Sequence, residues 1–199
     1  LVNTSGENNV AVGRQSLKCN TIGCQNTAIG SSALCANTTA NNNTAVGYNS
    51  LLANTTGTRN VGTGRSSLEA NTIGSCNSGH GMYSLYRNTE GGNNVAVGTC
   101  SLFTNTTASN NVAVGLCSLY ANTTGATNVA VGVNSLVANT TGNASVAIGC
   151  DAMCKNTTGG TSVAIGRSAL CSNVTSSSNT AIGYQALRKN TAANNTAVG

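Results

Sequence analysis

Glycine recurs at positions 13, 30, 47, 64, 81, 98, 115, 132, 149, 166 and 183, always 17 residues apart, with a last interval of 16 to Gly199. A fixed period of this length means that one supersecondary unit is repeated, which constrains the fold more than any single strand or turn. The rest of the unit keeps the same register. Four residues after each of these glycines come Leu17, Leu34, Leu51, Leu68, Leu85, Leu102, Leu119, Leu136, Met153, Leu170 and Leu187. Seven residues after each comes asparagine, from Asn20 to Asn190, and the position three after holds only Ser or Ala.

Before each glycine lies a short alternating run, as in Asn94-Val95-Ala96-Val97-Gly98 or Ser162-Val163-Ala164-Ile165-Gly166. Alternation with a period of two is the pattern of a strand. A second segment, Ser-Leu-X-X-Asn-Thr, follows the glycine, and a turn rich in Thr, Gly, Asn and Ser closes the unit. Val, Thr, Asn and Gly are mediocre or poor helix formers, so a helical repeat is disfavoured. The expected fold is all-β: a β-solenoid of about twelve 17-residue coils with two short strands per coil, running as one continuous domain over residues 1–199. One coil cannot bury its own apolar face, but coils stacked about 4.8 Å apart pair their backbones and bury it together. Twelve coils make a rod of roughly 55 Å at that spacing. Leu, with Val and Ile beside it, is expected to line the inside. Ala and Gly would let another wall or chain approach closely.

Composition then removes several function classes. Four acidic residues (Glu7, Glu69, Glu90, Asp151) and one histidine (His80) leave almost no stock of acids, bases or metal ligands, so neither an enzyme, a cofactor nor a metal site is expected. There is no proline or tryptophan and one phenylalanine, Phe103, so small and β-branched residues must do the packing. The net charge of +5 comes from nine dispersed basic residues, whereas nucleic-acid binding needs them concentrated on one face. No stretch approaches the 18 or so apolar residues of a membrane span. Nine cysteines in so polar a chain point to an oxidising, secreted setting.

The unit Asn-X-Val-Ala-Ile/Val-Gly-X-X-Ser/Ala-Leu resembles the head repeats of YadA-like trimeric autotransporter adhesins. The longer form Asn179-Thr180-Ala181-Ile182-Gly183-Tyr184-Gln185-Ala186-Leu187 is similar to repeats in phage and giant-virus tail or surface fibre proteins. The resemblance covers the whole chain and implies a left-handed β-roll, usually trimeric. It departs from the adhesin pattern in its 17-residue period and in its cysteines.

The asparagine column has two competing readings. Asn3, Asn37, Asn54, Asn105, Asn122, Asn139, Asn156 and Asn173 stand in Asn-X-Thr/Ser sequons, acceptors for N-linked glycans in a secreted protein, with further sequons at Asn42, Asn143 and Asn194. Alternatively, stacked amides hydrogen-bond from coil to coil as an inward ladder. Asn20, Asn71, Asn88 and Asn190 keep the asparagine without the sequon, which favours a geometric demand. If the column is inward, the adjacent Thr-Thr pairs could still carry O-linked sugars.

Cys100 and Cys117 occupy one position in successive coils, as do Cys154 and Cys171, and coil spacing falls within the Cα separation a disulfide needs. Cys19 and Cys35 are one position out of register and could pair across coils, with Cys19 to Cys24 the competing choice. Cys24, Cys76 and Cys150 are candidates for cross-links between chains. Five residues after the glycine, Tyr86, Phe103, Tyr120 and Val137, continued by Cys154 and Cys171, form a stripe that is either an outward contact surface or a second part of the core, with a sugar-binding aromatic platform as the lesser reading. Thr63 and His80 replace the usual Val or Ile in successive coils, read as two polar groups satisfying each other in a loosened core.

These features lead to an expected structural protein: an extracellular, glycosylated fibre formed by coil stacking, with further copies of itself as partner in a homopolymer or homotrimer. The segment begins and ends within a coil, which suggests a longer chain or end-to-end stacking. The alternatives are an adhesin or viral tail-fibre shaft on a cell or virion surface, and an ice-binding solenoid presenting stacked threonines.

Overall fold

The computed structural model describes residues 2–199. It is a β-solenoid of twelve three-residue strands, from β1 (Val10–Val12) to β12 (Thr196–Val198), in a single parallel sheet whose order follows the chain. Each strand pairs in register with its successor, so that Ala96 faces Ala113 and Val97 faces Val114. The 16-residue final interval is absorbed without a register slip, since Thr180 still pairs Thr196.

Each coil contributes one strand, not the expected two. The Ser-Leu-X-X-Asn segment does pair with its neighbours: Cys100 N–H donates to the Met82 carbonyl of the preceding coil at 3.0 Å, and Leu102 N–H to the Ser118 carbonyl of the following coil at 3.0 Å. Its backbone is not extended, however. Alternate residues sit in the left-handed region, as with Cys100 (φ 56°) and Leu102 (φ 49°), and the pattern repeats in successive coils. A second extended run would leave too few of the 17 residues for the reversals that close a coil, whereas these left-handed residues shorten the segment and bend it.

Left-handed backbone costs a leucine about 1–2 kcal/mol. Burial of the side chain returns about 1.5–3 kcal/mol, and Leu34 to Leu136 in this column are fully buried. The column therefore tolerates its own strain.

The strand faces are reversed relative to expectation. Ala28, Ala45, Ala96, Ala113, Ala130, Ala147, Ala164 and Ala181 point inward and are fully buried, while Val and Ile on either side face out. Leu and Ala thus form the core. The lumen leaves little room beyond this: where glycine replaces alanine, a Cβ on Gly79 would lie 2.7 Å from Ser67 Oγ and 3.0 Å from Ser84 Oγ, with Leu68 Cδ1 already in van der Waals contact at 3.5 Å.

The repeated glycine ends each strand with φ between 124° and 135°. A Cβ on Gly115 would fall 2.6 Å from the Gly132 carbonyl oxygen of the next coil. Both backbone sign and close approach exclude a side chain there, which explains the periodic glycine seen in the sequence.

Candidate functional site

The interior of the turns holds two asparagine ladders. In the first, Asn37 Nδ2 donates to Asn20 Oδ1 at 2.8 Å and to the Ala40 carbonyl at 3.1 Å, and Asn105 Nδ2 donates to Asn88 Oδ1 at 2.7 Å and to Ala108 at 3.0 Å. The amide-to-amide series runs without a break from Asn3 through Asn156. It stops there: Asn156 Oδ1 has no partner, and Asn173 Nδ2 turns to the Ser176 carbonyl.

Of the two readings of this column, the structure contains the ladder. Asn37, Asn54, Asn105, Asn122, Asn139, Asn156 and Asn173 are fully buried. In the first six, both Nδ2 hydrogens are engaged. An N-linked sugar would replace one of those hydrogens and fill space the next coil occupies. In the folded solenoid these seven are therefore structural asparagines, not acceptors. Asn3, in the first coil, is exposed, as are Asn42, Asn143 and Asn194.

A second ladder escaped the sequence reading. Asn43 Nδ2 donates to the Gly57 carbonyl at 2.9 Å while its Oδ1 accepts the Asn60 N–H at 2.9 Å, and the same pattern joins Asn26 through Asn128. Ser145 and Ser162 carry it onward, accepting through shorter hydroxyls, before Asn179 resumes it. Its signal was present as asparagine four residues before each repeated glycine except Gly149 and Gly166, where Ser145 and Ser162 stand. It was hidden because asparagine there also reads as an ordinary turn residue.

Threonine divides its labour within each Thr-Thr pair. The first hydroxyl is committed to the next coil, as in Thr38 Oγ1 to the Thr55 carbonyl at 3.3 Å and Thr140 Oγ1 to the Thr157 carbonyl at 3.1 Å. The second residue is exposed: Thr39, Thr56, Thr107, Thr124, Thr141 and Thr158 share this outward file with Ile22, Ile73 and Glu90.

The sheet's outer face is a long apolar strip. Val97 and Ile148 each keep 38% of their surface, and Ile29, Val46, Ile165 and Ile182 are similar. It is interrupted in β4 (Val61–Thr63) and β5 (Ser78–His80), where Thr63 Oγ1 lies 2.7 Å from His80 Nδ1 and Ser78 Oγ lies 3.0 Å from His80 Nε2. The two polar groups do satisfy each other, but on this outer face and not in the core.

Tyr86, Phe103 and Tyr120 are half-buried and stack with ring centroids 5.0 Å apart, with Tyr83 edge-on to Tyr86 at 5.3 Å. Arg87 sits over Phe103 at 5.9 Å. Both faces of Phe103 are covered by its neighbours, so a sugar ring has no open face to stack on there. Val137, one coil further along, is also half-buried.

Among the cysteines, Cys154 and Cys171 form a disulfide between adjacent coils with a Cα separation of 5.0 Å. Cys19 and Cys35 meet across coils, the Cys19 N–H donating to the Cys35 carbonyl at 3.1 Å. Burial, then the neighbouring Cys19 thiol, pushes the Cys35 thiol above its ordinary value, and burial followed by Cys117 does the same to Cys100.

Among the described residues, no group of three or more His, Cys, Asp or Glu converges as a metal ion would require, and no helix is long and apolar enough to cross a membrane. A cleft at the first coil, lined by Asn3, Asn9, Ala11, Leu17 and Asn20, carries no titratable side chain. The chain matches no protein-family model, no curated protein and no solved structure.

Proposed function

We propose that this chain is a structural element of an extracellular fibre, a coil-stacked shaft that associates with further copies of itself and carries sugars on its outer surface. One observation carries the reading: twelve strands pair one-to-one in unbroken parallel register while the same side chains recur in column after column. Such an object is periodic along its axis, its interior is spent on holding coil to coil, and its chemistry is nearly uniform along its length. That suits a load-bearing spacer better than a machine with a single active place.

Two surfaces support the finer parts of the reading. The Val/Ile strip offers a flat apolar contact for a second copy, since an exposed apolar face of this length is costly in water. The exposed threonine file offers hydroxyls for O-linked sugars, replacing the buried asparagines as the principal acceptors, with Asn3, Asn42, Asn143 and Asn194 as exposed N-linked candidates. Ice binding is less well supported, because Ile22, Ile73 and Glu90 interrupt the threonine file.

Cryo-electron microscopy of the protein isolated from its natural source tests this. The expected map shows coils repeating about every 4.8 Å along a fibre, lateral contact along the Val/Ile strip, and density branching from the outward threonines. Isolated, bare solenoids would overturn the reading. A shaft ending in a receptor-binding tip would favour the adhesin or viral tail-fibre alternative.

A further inference from the structure

Cys154 and Cys171 show what this fold does with two cysteines at one position of adjacent coils: their Cα atoms stand 5.0 Å apart and the sulfurs are bonded. Parallel in-register stacking gives every column the same step between coils, so the geometry belongs to the fold and not to that pair alone. Cys100 and Cys117 occupy one column, two residues after Gly98 and Gly115, and both have the same left-handed backbone, with φ of 56° and 54°. Their side chains therefore leave the backbone in the same direction, one coil apart. Cys19 and Cys35 differ by one position, yet their coils join at these two residues, the Cys19 N–H donating to the Cys35 carbonyl at 3.1 Å. All four are half-buried, which leaves a small oxidant access to them.

We propose that Cys100–Cys117 and Cys19–Cys35 are two further coil-to-coil disulfides, so that the oxidised chain carries three covalent staples spaced along the solenoid. The oxidant is a low-molecular-weight disulfide such as oxidised glutathione. One cysteine gives up its proton and attacks a sulfur of the oxidant, releasing one small thiolate that takes up a proton. The neighbouring cysteine then attacks the mixed disulfide and displaces the second small thiol. The protein loses two hydrogens and two electrons are gained by the oxidant, which becomes two thiols. Cys24, Cys76 and Cys150 remain as thiols in this scheme. Cys24 is turned to backbone on its own side of the coil, accepting from the Glu7 N–H and donating to the Ile22 carbonyl, both at 3.3 Å. The proposal does not depend on the fibre reading, since it concerns bonds within one chain.

The test is non-reducing peptide mapping of the full chain after equilibration, while folded, with mixed reduced and oxidised glutathione. Free thiols are blocked under denaturing conditions before digestion. The expected result is one peptide pair joining Cys100 to Cys117 and another joining Cys19 to Cys35, each lost on reduction. A Cys117→Ser chain should release Cys100 to the blocking reagent and leave the Cys19–Cys35 pair intact. Recovery of Cys100 and Cys117 as blocked thiols, or of a peptide joining Cys19 to Cys24, would overturn the proposal for the corresponding pair.

Discussion

Asn105 Nδ2 lies 2.7 Å from Asn88 Oδ1 of the preceding coil, and its second hydrogen goes to the Ala108 carbonyl 3.0 Å away in its own coil. One side chain thereby closes its own turn and ties that turn to its neighbour. Replacing Asn105 with alanine strands the Asn88 oxygen and one hydrogen of the Asn122 amide, and leaves the Ala108 carbonyl to Asn94 Nδ2 alone, with an expected loss of about 2–4 kcal/mol. Asn105→Asp keeps the shape but sets an anion against acceptors. Its carboxyl would be raised in the folded state, so its penalty should grow as pH rises from acid to neutral. Urea unfolding of both variants at acid and neutral pH measures this.

The Gly115 backbone, at φ 133°, leaves its absent Cβ 2.6 Å from the Gly132 oxygen. Gly115→Ala is expected to cost about 3 kcal/mol or more, combining forbidden backbone with overlap against the next coil. Hydrogen exchange should show the loss concentrated in the coils on either side, because contacts in a solenoid are nearest-neighbour. Unchanged protection there would contradict the close-approach argument.

Leu102 is fully buried with φ 49°. Leu102→Met should cost less than about 1.5 kcal/mol, as Met153 already occupies this column at φ 51°. Leu102→Ile has the same volume, but a β-branched residue is strongly disfavoured at positive φ. It should therefore be the more destabilising of the two by thermal melting, and the reverse order would show that volume and not backbone governs the column.

Val97 and Ile148 are each 38% exposed on the sheet's outer face. Val97→Lys with Ile148→Lys is expected to leave the circular dichroism spectrum unchanged and to shift the chain toward monomer in sedimentation. If the double variant assembles as the parent does, the strip is not the contact between copies.

The Cys154–Cys171 disulfide closes a 17-residue loop. Reduction, or Cys154→Ser with Cys171→Ser, should destabilise the solenoid by about 3 kcal/mol on the chain-entropy account. Denaturant midpoints with and without reductant give the value, and equal midpoints would show that coil stacking alone holds the ends of that loop together.

Much of this architecture is legible residue by residue. Gly98 and Leu102 announce the coil because nothing but glycine fits the close approach and one apolar side chain per coil must fill the lumen. Cys154 and Cys171 announce their bond because their spacing equals the repeat. The Asn105 column was legible only as a column. Whether its amide faces a sugar or the next coil depends on the curvature of the turn, which Thr106 and Thr107 do not encode by type. Thr63 and His80 were recognised as a pair, but their placement depended on which strand face is outward.

What the sequence determined by itself is the repeat: a 17-residue coil, stacked in parallel, with leucine within and glycine at each strand end. A period needs no coordinates to be read, and a unit that cannot bury its own apolar face must stack. What only the tertiary structure decided is which way each coil turns its side chains. Alternation in Val95-Ala96-Val97 is equally consistent with valine inside or alanine inside. The choice falls to alanine because the opposite wall of the narrow coil is already filled by leucine, held there by a left-handed backbone that no propensity would assign to it. The same curvature turns the asparagine amides inward and leaves the second threonine of each pair facing out.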